Sequence, residues 1–519
     1  MQKMNVMQAI SSKLSMLVSF LFFISCSPGH KQSKAMLGEI NFTATGKKKA
    51  QPFFEKGLLL LHSFEYEDAE EQFNKAIAID KDFTMAYWGA AMTHTHNLWR
   101  YQNIDKALLV LNKLASTPGE RVAKARTAIE KDFITAVNIL YSKGIQKEVY
   151  GRYAGWMGEL YKKYPGNNEV AALYSIALLG SVTVGRDDKV YENAARVAKE
   201  VLQRNPRHPG ALHYLIHAYD DPYNAEKAIA TADKYSTVAL DAGHALHMPT
   251  HIYLALGMWD KVVSSNITSW QAGINRKERK GLTNNALNYH AFHWLEYGYL
   301  QQGNTEKAKK MLEEMHAYCT KLPSIRARAH LIFLKTTYAV EANEYTGEYA
   351  SIKCRQDDLN IVTRAADNFV SGMQAFYKND VTLLDSIIYK MTAQRLVDKE
   401  RADASTGICG SINSEIPTTL DVQQAEVMEL ELKAMQARLK NDVAATENYL
   451  KQAVAIESVI SYSYGPPTIV KPSFELYGEW LLENNRAKEA LSQFELSLKA
   501  APKRALSVKG KQKALKLVG

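Results

Sequence analysis

His213 and His247 lie 34 residues apart, and so do His217 and His251. Within each set the two histidines are four residues apart, which puts both rings on one face of a helix. His244 precedes His247 by three residues, and His290 and His293 repeat that spacing further along. A single histidine on an apolar face is ordinarily a packed core residue. Seven in register (His213, His217, His244, His247, His251, His290 and His293) call for a shared role. Three chemistries use such a set. Imidazole donors can hold an acidic or C-terminal carboxylate segment of a protein or peptide partner. Imidazoles at i and i+4, joined by a ring from a neighbouring helix and by Asp220 or Asp221, can hold zinc or another divalent metal; that set is His213, His217, His247, His251, Asp220 and Asp221. Such a metal with an open position can activate water for hydrolysis.

The elements that must position these rings are helices. Three-to-four residue apolar spacing runs through most of the chain, and alternating strand patterns are nearly absent. Phe474, Tyr477, Gly478, Leu481, Ala490, Phe494 and Pro502 stand at the offsets of two antiparallel helices closed by a proline turn. This resembles the 34-residue tetratricopeptide repeat, in which small residues let helices A and B approach and aromatic ones fill around them. Gly57, Ala69, Phe73 and Ala76 repeat the signature, as do Ala194, Ala198, Val201 and Pro206, and Phe292, Leu295, Tyr299, Gly303 and Ala308. The expected fold is all-α, a right-handed α-solenoid of about 8–10 hairpins over residues 50–503, with a basic C-terminal cap at 504–519. Residues 272–286 and 400–420 are the best loop candidates. With Pro206, Gly257 and Gly303 as the turn residues, the seven histidines and Tyr297 take places two, five and nine of helix A. The resemblance implies that this face lines a concave, peptide-binding groove.

The N-terminus reads as an export signal. Lys3 and Lys13 precede an apolar run, Leu14 to Ile24, that is too short to span a bilayer. Phe23-Ile24-Ser25-Cys26 resembles a bacterial lipobox, which implies a signal over 1–25, lipidation (including palmitate) of Cys26, a tether over 26–49 and a membrane-anchored place in the cell envelope. An ordinary cleaved signal with an incidental cysteine is the alternative. Cys319, Cys354 and Cys409 then remain, an odd number that leaves room for one disulfide. The charge balance, 64 Lys+Arg against 55 Asp+Glu, is spread along the chain and points to no nucleic-acid site.

The sequence has no H-E-x-x-H, G-x-S-x-G, P-loop or G-x-G-x-x-G in a strand-turn-helix context, which favours a binding scaffold over an enzyme. His62 and His96 are also 34 apart, with His94, Trp88, Met92 and Trp99 nearby, and read equally as core packing or as a second pocket. His208-Pro-Gly-Ala-Leu-His-Tyr-Leu-Ile-His-Ala-Tyr-Asp-Asp-Pro222, His244-Ala-Leu-His-Met-Pro-Thr-His251 and Ala86-Tyr-Trp-Gly89 resemble a group of bacterial tetratricopeptide-repeat proteins without a settled activity. Glycan-capturing outer-membrane lipoproteins, which share a lipid anchor and embedded repeat helices, are a lesser alternative.

Overall fold

The computed structural model describes residues 36–402 and 416–519, so the expected export signal, Cys26 and Cys409 lie outside the described residues. Helical hairpins stack along the chain from Gln51–His62 with Tyr66–Ile79 to Ser473–Glu483 with Ala487–Ala500. Among the described residues the sole sheet is a two-residue antiparallel ladder, Thr95–His96 with Tyr101–Gln102. Among the described residues no helix is long and apolar enough to cross a membrane.

One turn recurs at the end of the first helix of successive hairpins. Phe64, Gly257, Gly303, Asn343, Asn379, Asn441 and Asn485 all have positive φ, between 54° and 74°. The N–H of the residue after each reaches back to close the helix end: Met258 N to Tyr253 O at 2.8 Å, Asn304 N to Tyr299 O at 2.8 Å and Arg486 N to Leu481 O at 2.9 Å are examples. Glycine and asparagine adopt this conformation at little cost. Phe64 does not, and its place beside the histidines gives that strain a location. Interhelical approach depends on small residues, as the spacing predicts. A Cβ on Gly89 would come within 2.4 Å of Phe73, and one on Gly478 within 2.9 Å of Phe494.

The array folds back on itself. Trp259 Nε1 donates to Lys503 O at 3.2 Å, and Ala505 N donates to Gln301 Oε1 at 2.8 Å, so the C-terminal hairpin sits against the middle of the chain. Arg504, at the start of the expected basic cap, is fully buried, with its guanidinium forked onto Glu475 at 2.9 and 3.1 Å. Residues 36–49, the described part of the expected tether, are packed rather than loose. Leu37 is buried, Glu39 N bonds Arg207 O at 3.0 Å, and Thr45 Oγ1 donates to Glu130 at 2.7 Å.

The expected loop at 272–286 is largely helix, because Trp259–Lys280 runs through to a Gly281 cap. Arg276 and Lys280 are drawn onto Asp68 of the first hairpin, the latter at 2.9 Å, and those ion pairs between residues about 200 positions apart hold the end of the helix. Cys319 and Cys354 are free thiols.

Candidate metal centre

Three helical segments bring the histidines together. Pro209–Ala218 carries His213 and His217, and its first turn is capped by His208, whose Nδ1 accepts from Ala211 N at 3.1 Å. Gly243–His247 and Pro249–Ala255 carry His244, His247 and His251. Met248 keeps helical angles between them, and Pro249 falls at a first-turn position where a missing N–H costs nothing. Tyr289–Gln301 begins at Asn288, whose side chain accepts from Ala291 N, and carries His290 and Trp294.

The rings form two adjacent triads, His213 with His217 and His244, and His247 with His251 and His290. Within each, one nitrogen from every ring lies within 4.8 Å of the others. The triads abut, with His217 and His251 ring centroids 5.7 Å apart. An aromatic side chain walls each one. Phe64 lies 4.2, 6.0 and 5.6 Å from His213, His217 and His244, and Trp294 lies 4.8, 4.5 and 5.2 Å from His247, His251 and His290.

What the backs of the rings touch decides the chemistry of their fronts. His213 Nδ1 is 2.7 Å from His62 O, and a carbonyl only accepts, so Nδ1 carries the proton and Nε2 is a bare lone pair. His247 Nδ1 lies 2.7 Å from Asn266 Oδ1, while Asn266 Nδ2 donates to Val262 O at 3.0 Å. That second bond fixes the amide so that its oxygen faces the ring, and His247 Nε2 is left unprotonated. Buried, it has no hydrogen-bond partner among the described residues; His244 Nε2 and His217 Nδ1 are in the same condition. His217 Nε2 lies 3.1 Å from His213 Nε2. Whichever nitrogen of His217 carries its proton, one lone pair there stays unmet. Two nitrogens bound tetrahedrally to one ion at about 2.0–2.1 Å would be roughly 3.3 Å apart, so this close pair has the spacing of shared ligation. His251 Nδ1 sits 2.5 Å from Asp220 Oδ2.

Burial pushes the imidazoles of His213, His217, His244 and His290 well below their ordinary range, with neighbouring rings adding to the effect, and pushes His247 down to about 3. Burial likewise pushes the Asp220 carboxyl up, opposed by His251. These five rings are therefore neutral and available as ligands at neutral pH.

Several expected residues do other work. Asp220 faces the back of His251, where it orients the ring instead of ligating. Asp221 accepts from Tyr223 N and Asn224 N at 2.9 and 3.0 Å and pairs with Arg186, so its oxygens belong to a turn. His293 turns away to Thr337 Oγ1 at 2.9 Å and stacks on Phe333. Tyr297 is bound by Arg504 Nη1 at 3.2 Å. The groove-lining expectation also changes, because His213, His217, His247 and His251 are at most 2% exposed. The first hairpin and the Phe64 turn pack over the face that the repeat frame would leave open.

A third cluster went unread in the sequence. His62 Nε2 and His208 Nε2 bind the two oxygens of Glu169 at 2.7 and 3.0 Å, all three side chains being buried. His62 Nδ1 accepts from Tyr214 OH at 2.9 Å, and His208 Nδ1 is the helix cap described above. Every donor there meets an acceptor, so this triad is closed. Burial alone would push the Glu169 carboxyl up, but His208 and His62 hold it well below the carboxylate range. Asn266, Glu169 and Phe64 carried no sequence signal for these roles. Trp294 did, standing four residues after His290 on the same helix face.

No family profile matches the chain, and no curated protein matches it. Among solved structures, the Cut9–Hcn1 hetero-tetramer of the APC/C superposes with a TM-score of 0.36 at 12% identity, covering 92% of this chain and 78% of that one. Yeast Tom70 does so at 0.33 and 12%, covering 91% and 96%, and the TPR domain of P58(IPK) at 0.21 and 14%, covering 91% and 98%. At such values the likeness carries neither ligand nor partner across, and the fold rests on the chain's own helix packing.

Proposed function

We propose that this chain is a helical-repeat metalloprotein whose interior binds two transition-metal ions, one on His213, His217 and His244 and one on His247, His251 and His290. The observation that carries the reading is His247 Nε2, a buried lone pair whose tautomer is set from behind by Asn266 and which has no partner among the described residues. An unmet buried acceptor costs about 1–3 kcal/mol, and a metal ion recovers that loss. Three backs supported by a carbonyl, an amide and a carboxylate are the outer contacts that metal-bound imidazoles require. Three ligands per ion leave a coordination position open. The peptide-groove reading is less favoured, since a docking segment would need exposed donors and of the seven histidines only His244, His290 and His293 are partly accessible.

The test is elemental analysis of untagged full-length protein prepared without a metal column. Two ions per chain are expected, lost in a His213→Ala/His247→Ala variant of unchanged helicity. A metal-free protein that also fails to take up copper, zinc, cobalt or nickel when titrated would end the proposal. Attachment to the envelope membrane through Cys26 belongs to the same proposal; the mass of the mature N-terminus, with or without a diacylglyceryl cysteine, decides it.

A further inference from the structure

We infer that both sites hold copper in its monovalent state, one ion per three-imidazole triad, and select it over zinc. This rests on the two-ion reading above and goes further by naming the metal. The argument is one of charge and coordination number. Each triad offers only imidazole nitrogen donors. The nearby carboxylates face elsewhere: Asp220 is behind His251, both oxygens of Glu169 are bound to His62 and His208, and Glu65 Oε1 accepts from the His244 backbone N–H at 2.8 Å. Two divalent ions would place four positive charges among buried neutral rings. Two monovalent ions place half as many, and the desolvation cost of an ion rises steeply with its charge.

Coordination number points the same way. Zinc takes four ligands in a tetrahedron and, where the protein gives three, recruits water as the fourth. Here an aromatic ring packs against each triad, with the Phe64 centroid 4.2 Å from that of His213 and the Trp294 centroid 4.5 Å from that of His251. Monovalent copper has a filled d shell and is satisfied by two or three nitrogens, so an apolar wall is no obstacle to it.

The experiment uses metal-stripped, untagged full-length protein under anaerobic conditions. Monovalent copper is supplied as its coloured bicinchoninate complex, and loss of colour reports transfer to the protein. Two equivalents are expected to transfer, and a tenfold excess of zinc should not displace them, corresponding to a preference of at least about 100-fold. His217→Ala and His290→Ala should each remove one equivalent and leave the other, with helicity by circular dichroism showing that the variants fold. If zinc binds at two equivalents and copper is not withdrawn from the chelator, the choice of metal is wrong and the two-ion centre stands. If neither ion binds, both fall.

Discussion

Two sets of histidines lie side by side in this molecule, and they end in opposite states. His62 and His208 close on Glu169, with Tyr214 OH and Ala211 N meeting their remaining nitrogens. Of the six rings a few ångströms away, His213, His247 and His251 are held from behind by His62 O, Asn266 and Asp220, yet His217 Nδ1, His244 Nε2 and His247 Nε2 go unmet among the described residues. Proximity of metal-binding residue types is common to both sets and therefore separates nothing. Completeness of the hydrogen-bond account does separate them, because a buried polar atom without a partner is unstable unless something else arrives to meet it.

The sharpest way to break that contrast is to open the closed set. Glu169→Ala leaves two buried N–H groups without an acceptor and is expected to cost about 3–5 kcal/mol of folding stability, read by urea denaturation of the metal-free protein. A loss below about 1 kcal/mol would mean that the closed triad is not structural. His247→Ala, by contrast, removes Nε2, which nothing in the apo interior uses, together with the Nδ1–H contact to Asn266. It should lose one ion, with affinity at that site down at least about 100-fold, while apo stability falls far less than in Glu169→Ala. Asn266→Ala frees the His247 ring to take the other tautomer, and a 10–100-fold weaker affinity is expected by chelator competition. An unchanged affinity would show that the ring does not need its support.

Acid should act on the metal-free protein through its buried rings, those outside the triads included. Burial holds His293 and His330 down to about 3, against an ordinary value of 6.5. Arg326 beside His330, and the neighbouring rings of His290 and His293, oppose protonation further. The folded state thus binds fewer protons than the unfolded one between those values. Stability is complete above pH 6.5 and declines below it, by about 1–2 kcal/mol per ring at pH 5. Flat apo stability between pH 7 and 5 would contradict this. The smallest effect is expected from His293→Ala. Its ring is committed to Thr337, so metal affinity should stay within about twofold of the parent's.

The 34-residue spacing of His213 with His247 and of His217 with His251 made the pairing of rings legible before any coordinates, because a repeat that recurs at fixed length returns equivalent residues to equivalent helix faces. The small residues at Gly57, Gly89 and Gly478 made the hairpins legible in the same way. What each face meets was a tertiary matter. The return of the first hairpin onto Pro209–Ala218 put His62 O behind His213 and Phe64 against the rings, turning an expected open groove into a buried centre. The docking of residues 501–505 onto the middle of the chain took Tyr297 for Arg504. Local periodicity sets the direction of a side chain, and contacts between residues 150 or 200 positions apart set its partner. No short-range pattern encodes such contacts, so only the folded chain decided which histidines were to be satisfied and which left open.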